Sequence, residues 1–321
     1  MTLSEKPSGT GSEPPVKDDF TGVAERVKAV IALRDLKQNA VAREAGIASS
    51  ALSKFLRGEY EGDNQAVSVK LTIWLDALSL RDRLPVSTTR TLEFVETPTA
   101  RKIISALRYA HLTVDFALIA GVPGAGKTTA LRHYRDVQTN AWLATMSPAT
   151  EKPVAALSTI GFAIGLRSLG GGADKMFRAI VERLKGTAGI LIIDEAQHLL
   201  PKALENIRSI GDEAEIGLAF VGDLALLEKF NAFGQLSSRI GKKEVITKTE
   251  LNDVAALSTA LGITGNAERE FLNKVSAQRG GLRCVVKVER QAQMYAAGEE
   301  KPLTLDHLVA SWQNLNLGSI A

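Results

Sequence analysis

The chain has 321 residues, 39 basic against 36 acidic, for a net charge of +3. That length accommodates two or three compact units, and so small an excess of charge does not by itself mark a nucleic-acid binder. One cysteine, Cys284, excludes an internal disulfide or multi-cysteine zinc site, and no apolar run reaches a membrane-spanning length or resembles a signal core, so a cytoplasmic protein without membrane contact is expected.

Residues 1–18 are rich in Ser, Gly, Pro and charge and read as a disordered tail. A first folded unit is expected over 19–80. Val23, Val27, Val30, Ile31 and Leu33 have helical spacing. The stretch Gln38 to Gly58 has the layout of a helix-turn-helix: Ala42 is small where two helices would cross, Gly46 ends the first helix, and Ile47, Leu52 and Phe55 face a core. Ser49, Ser50, Ser53 and Lys54 fall at the start and outer face of the second helix. Short polar residues there suit base edges and phosphates in a major groove. Seven basic residues (26, 28, 34, 37, 43, 54 and 57) stand against two acidic ones (35 and 44) from Arg26 to Arg57. The alternative is a small helical bundle used for protein contacts. A further helix places Val67, Leu71, Trp74, Leu75 and Leu78 on one face, with Trp74 as a core residue. Residues 81–98, with three arginines, two prolines and few apolar side chains, read as a linker.

From Thr99 the pattern changes to apolar strands alternating with helices. Strands are expected at 115–120, 141–146, 189–193, 216–222 and 244–248, and helices at 100–111, 127–137, 152–166, 173–185 and 201–211. Such alternation with buried strands implies a parallel sheet flanked by helices, an α/β domain over 99–250. Gly170-Gly-Gly172 reads as a loop. Helical patterns at 252–261, 266–277, 281–297 and 304–313 then point to a helical lid over 251–321.

Gly121-Val-Pro-Gly-Ala-Gly-Lys-Thr128 follows the first of these strands directly. This is the G-x-x-x-x-G-K-[ST] phosphate-binding loop, between strand and helix where its chemistry requires it. Gly121, Gly124 and Gly126 let the backbone bend and turn its N–H groups toward phosphates, with Val122, Pro123 and Ala125 between them. Lys127 sets a cation on the outer phosphates, Thr128 offers a hydroxyl to Mg²⁺, and Thr129 continues into a helix whose positive end faces the same anion. The ligand class is a nucleoside triphosphate; a chance match in a glycine-rich loop is the alternative. Gly189-Ile-Leu-Ile-Ile-Asp-Glu195 supplies a buried strand with two carboxylates at its C-terminal end, where open α/β sheets bind ligands. Asp194 can hold Mg²⁺ through water and Glu195 can orient or deprotonate the attacking water; solvated acids at a strand end are the bland reading.

With these motifs the chain resembles the AAA+ ATPases and, more narrowly, the Mu B transposition-protein family. The resemblance rests on Gly58-Glu-Tyr-Glu-Gly-Asp-Asn64, Phe94-Val-Glu-Thr97, the phosphate loop, Ile192-Ile-Asp-Glu-Ala196, Ser238-Arg-Ile240 and Gly281-Leu-Arg283, and spans most of the chain. It implies a polar sensor near the γ-phosphate at Asp223, where many relatives have Asn. An Asp there needs Mg²⁺, water or a neighbouring cation. It implies an arginine finger at Arg239 reaching the ATP of the adjacent subunit, a surface salt bridge being the alternative. It also implies a second sensor at Arg283, which would tie the lid to the nucleotide; a helix-surface arginine is the alternative.

The resemblance further implies an ATP- and Mg²⁺-dependent protein that assembles with itself, as filament or ring, on double-stranded DNA and delivers it to a transposase, with hydrolysis driving disassembly. Lys152, Arg167, Lys175 and Arg178 are weak candidates for channel contacts to DNA. A nucleotide-gated helix-turn-helix transcriptional regulator and a client-remodelling ATPase are the rival readings. The four histidines (111, 133, 198 and 307) lack ligand spacing, and no nucleophile–base arrangement is evident. The Asp-Glu pair is insufficient for cutting or joining DNA, which needs a separate carboxylate set.

Overall fold

The structure is a computed structural model that describes residues 20–83, 94–167 and 170–315. The expected tail, 1–18, lies outside them. The chain divides into two units, Met1–Thr89 and Arg90–Ala321.

The first unit is helical: α1 (Thr21–Leu33), α2 (Gln38–Glu44), α3 (Ser49–Arg57) and α4 (Asn64–Arg83). Val27, Val41, Ala42, Leu52, Phe55 and Leu71 close its core. Gly46 takes φ +64° in the turn between α2 and α3, a left-handed conformation that glycine adopts without a Cβ penalty. The Ile47 N–H then donates to the Ala42 carbonyl at 2.8 Å. Trp74 is buried, and its indole donates to Glu44 at 3.0 Å. The stretch read as a linker, 81–98, is helical at both described ends: α4 runs to Arg83 and Pro98 opens the next helix. Residues 84–93 lie outside the described residues.

The second unit begins with α5 (Pro98–Thr113), capped by Thr97, whose hydroxyl accepts from the Ala100 N–H at 3.1 Å. Then follow β1 (Phe116–Gly121), α6 (Lys127–Val137), β2 (Ala141–Thr145), α7 (Pro153–Ala163), α8 (Ala173–Leu184), β3 (Ile190–Asp194), α9 (Pro201–Ala214) and β4 (Gly217–Gly222). Two short helices, α10 (Ala225–Asn231) and α11 (Gly234–Ser237), occupy a stretch for which the periodicity marks nothing, before β5 (Ile240–Ile246). All pairings are parallel, in the order β2-β3-β4-β1-β5.

Because side chains alternate across a strand, the sheet builds two cores. Leu118, Leu191, Ile193, Leu218 and Phe220 pack under α7, α8 and α9; Ala117, Ile119, Ile190, Ile192, Ala219 and Val221 pack under α5 and α6. Every residue of β1, β3 and β4 is therefore buried. The fifth strand corrects the expectation of 244–248: it starts at Ile240 and ends at Ile246. It is an edge strand, half-buried and exposed residues alternate along it, and Lys242, Lys243 and Glu244 sit within it without disrupting a core. Only its last residues carry the apolar signal a buried strand would show throughout.

The lid is formed by α12 (Leu251–Ala260), α13 (Asn266–Ser276), α14 (Leu282–Gly298) and α15 (Leu305–Asn314), around Val254, Leu272, Val275, Val285, Val288, Leu308 and Trp312. It is tied to α5 by buried Asp253, which accepts from the Thr99 N–H at 2.8 Å and the Thr99 hydroxyl at 2.6 Å. Glu289 is also buried in the lid, and among the described residues neither carboxyl oxygen has a hydrogen-bond partner. Burial pushes its carboxyl up from 4.5 to about 8. Between those values the folded lid keeps a proton that the unfolded chain has released. Lid stability is therefore greatest below the window and declines as pH rises through it, by at most about 1.4 kcal/mol per pH unit. Hydrogen exchange of the α14 amides is expected to accelerate between pH 6 and 8 beyond its intrinsic pH dependence, and Glu289→Gln is expected to flatten that excess. Equal profiles for the two proteins would contradict the assignment.

Candidate active site

Gly121 ends β1, and α6 begins at Lys127. Between them Gly124 and Gly126 take φ +82° and +86°, which L side chains rarely adopt. A Cβ on Gly124 would lie 1.8 Å from the Gly280 carbonyl oxygen, so loop and lid meet backbone to backbone. The Val122 N–H donates to the Ile246 carbonyl at 2.9 Å, anchoring the loop to β5. The Lys127 ammonium donates to the carbonyls of Gly121 at 2.6 Å and Val122 at 3.1 Å. Ala125 is buried, while Pro123 and Thr129 are exposed on the loop and the first turn of α6.

The end of β3 faces this loop. Asp194 is buried and accepts from the Thr128 hydroxyl at 2.9 Å and from the Glu195 N–H at 3.0 Å. Glu195 takes φ +55°, a left-handed conformation costing a side-chain-bearing residue about 1–2 kcal/mol. The Gln197 amide nitrogen donates to the Glu195 carboxylate, while its carbonyl oxygen accepts from the Asp223 N–H at 3.3 Å. Asp223, just beyond β4, accepts from the Ala225 N–H at 3.0 Å.

Charges couple these groups. Burial pushes the Lys127 ammonium below the ordinary lysine range; the carboxylates of Glu195, Asp194 and Asp223 oppose that shift, and the charge of Arg283 adds to it. Burial pushes the Asp194 carboxyl up, with Glu195 adding to the shift. The hydrogen bonds from Thr128 and the Glu195 N–H, and the charge of Lys127, hold it down. The loop, β3, the residue after β4 and the first turn of α14 thus deliver Lys127, Thr128, Asp194, Glu195, Asp223 and Arg283 to one place. A hydroxyl beside a carboxylate is a hard-oxygen donor pair that fits a divalent cation sharing phosphate oxygens and water. Among the described residues no cluster of three or more His, Cys, Asp or Glu forms a metal cage.

Arg239 lies elsewhere. It precedes β5, is 56 % exposed in its side chain, and pairs with Asp212 of α9 at 3.4 Å. Asp212 also pairs with Arg208, which reaches Glu205 at 2.6 Å. The helix-turn-helix candidates belong to the first unit. Ser50 and Lys54 are exposed, Ser53 is half-buried, and the Ser49 hydroxyl donates to Asn39 at 2.9 Å. Lys152, Arg167, Lys175 and Arg178 are all exposed, and Arg178 pairs with Asp174 at 3.1 Å. Sequence reasoning missed Gln197, whose side chain joins Glu195 to the Asp223 loop, and the close approach of Gly280 to Gly124. A glutamine after two acids carries no signal of its own, whereas Gly280-Gly281 ahead of Arg283 could have marked a close backbone approach.

Residues 112–230 match the AAA domain family, and residues 238–315 match the family described as Mu B transposition protein, C terminal. The chain is 34 % identical over 283 residues to ATP-dependent target DNA activator B of Escherichia phage Mu, covering 86 % of this chain and 89 % of the relative. It is 32 % identical over 260 residues to Mu-like prophage FluMu DNA transposition protein B of Haemophilus influenzae, covering 78 % of this chain and 90 % of the relative. In fold it is similar to Cdc6p of Pyrobaculum aerophilum, with a TM-score of 0.54 at 16 % identity, covering 72 % of this chain and 69 % of that one.

Proposed function

This chain belongs to the Mu B transposition protein family and is an ATPase of the AAA class, and from that premise we propose that it binds target DNA in an ATP-dependent assembly and delivers that DNA to a transposase. The observation that carries the nucleotide chemistry is the convergence of Lys127, Thr128, Asp194 and Glu195 at the C-terminal ends of β1 and β3. The phosphate-loop N–H groups from Gly121 to Thr129 and the start of α6 cradle the phosphates of ATP. Lys127 exchanges its carbonyl partners for the outer phosphate oxygens. Thr128 and Asp194 would hold Mg²⁺, which would neutralise phosphate charge when bound. Glu195 orients and deprotonates the attacking water, Asp223 senses the γ-phosphate beside the Lys127 cation, and Arg283 couples the lid to the nucleotide.

Arg239 completes the site of a neighbouring subunit, which makes hydrolysis depend on self-assembly into a filament or ring. DNA is held mainly through its phosphates, so binding is weakly sequence-specific and salt-sensitive. The exposed face of α3, with Ser49, Ser50, Ser53 and Lys54, is the first unit's contribution. ATP favours the DNA-bound assembly and hydrolysis releases it.

Binding to random-sequence duplex DNA with ATP, with ADP and without nucleotide, across a salt series, tests this reading. ATP-dependent binding to any sequence is expected. Lys127→Ala is expected to weaken ATP binding by about 10–100-fold, the loss of one charge-assisted hydrogen bond, and to remove the nucleotide dependence of DNA binding. Binding confined to one rare site regardless of nucleotide would favour the transcriptional regulator instead, and absence of DNA binding a client-remodelling ATPase.

A further inference from the structure

Gln197 occupies a short turn, Ala196–His198, that follows Glu195 directly. Its side-chain amide is used at both ends, donating to the Glu195 carboxylate and accepting from the Asp223 N–H at 3.3 Å. One side chain therefore bridges the end of β3 to the end of β4. Its backbone is fixed as well, because the Lys229 ammonium of α10 donates to the carbonyls of Gln197 and, at 2.8 Å, Leu199. A Cβ on Gly222, the last residue of β4, would lie 2.3 Å from the side-chain oxygen Oε1 of Gln197. The sheet thus ends in glycine where this amide must pass.

A carboxylate with both oxygens in water samples many orientations, whereas one held at a single oxygen presents the other in a fixed direction. Proton abstraction from a water needs that direction set within hydrogen-bond reach. The left-handed φ of +55° at Glu195 aims its side chain from the strand end, and Gln197 supplies the second point of restraint. We infer that Gln197 is a positioning residue for hydrolysis: it restrains one Glu195 oxygen, leaves the other for water, and sets both against the Asp223 loop. Lys229 keeps the turn that carries it in place. The inference rests on the role proposed above for Glu195.

The test is ATP hydrolysis by the full-length protein on duplex DNA, comparing Gln197→Met, which keeps length but loses both polar atoms, with its parent. The turnover number is expected to fall about tenfold, in keeping with losing a hydrogen bond to a charged group, with KM for ATP and thermal midpoint unchanged. In a Glu195→Gln background the same change is expected to cost nothing further, because both residues act through one step. Should Gln197→Met fail to fold, Gln197→Glu keeps the acceptor for Asp223 and sets a second carboxylate against Glu195. A tenfold or greater fall in turnover is expected there too. Unchanged turnover in the variant that folds, or an undiminished loss on top of Glu195→Gln, would overturn the inference. Wild-type turnover by Glu195→Gln alone would instead sink the assignment of Glu195 itself.

Discussion

Glu195→Gln is expected to bind ATP as tightly as the parent and to hydrolyse it about a thousandfold more slowly, the range seen when a positioned general base is lost. The substitution keeps the shape of the side chain, and its amide can still meet Gln197 by turning its oxygen toward the donor. What disappears is the ability to take a proton. The phosphate-binding groups are untouched: Lys127 and Thr128 lie on the loop and α6, and Asp194 keeps its bond from Thr128 at 2.9 Å. The variant is therefore expected to stay on DNA after ATP addition, and single-turnover measurements with a DNA-retention assay read both effects. Rapid turnover would take Glu195 out of the mechanism; weak ATP binding would show that the acid holds the nucleotide rather than the water.

Arg239→Ala is expected to lower hydrolysis by the assembled protein about a thousandfold, in the range of arginine fingers, while the slow rate of dilute subunits stays as it was. The structure makes this residue inexpensive to redeploy. Its partner in the same subunit is Asp212 at 3.4 Å, with 56 % of the Arg239 side chain and 26 % of the Asp212 side chain exposed. Exposed pairs of this kind contribute about 0–1 kcal/mol. Asp212 is also left with Arg208, so breaking the pair strands no buried charge. Thermal stability is expected to be unchanged. Mixing Arg239→Ala with Glu195→Gln, which still binds ATP and stays assembled, discriminates the geometry: a sound site on one subunit then meets a sound arginine on the next, and activity returns. No recovery on mixing would place Arg239 in its own subunit's site or outside the chemistry altogether.

Much of this arrangement is legible in the sequence where burial is two-sided. β1, β3 and β4 carry unbroken apolar runs because both of their faces meet helices, and the phosphate loop and the Asp194-Glu195 pair are found by their place at the ends of such runs. At the sheet edge the rule weakens. β5 needs only one covered face, so its lysines conceal where it starts. Short α10 and α11 offer too few turns for a helical period. Long-range polar contacts leave no local trace at all. Nothing near Asp253 announces Thr99, nothing near Gln197 announces Asp223, and the pairing of Arg239 with Asp212 spans two elements that periodicity treats as independent. Only the reading of Arg239 as one half of a surface salt bridge anticipated any of these.

The contact between Gly124 and Gly280 sets how stiffly the lid is hinged. Where side chains separate two moving parts, rotamer changes absorb small displacements. Here a Cβ on Gly124 would sit 1.8 Å from a carbonyl oxygen, so nothing compressible lies between the loop and the start of α14. A displacement of the phosphate loop therefore meets the Gly280 backbone directly, with no rotamer between loop and lid to absorb it.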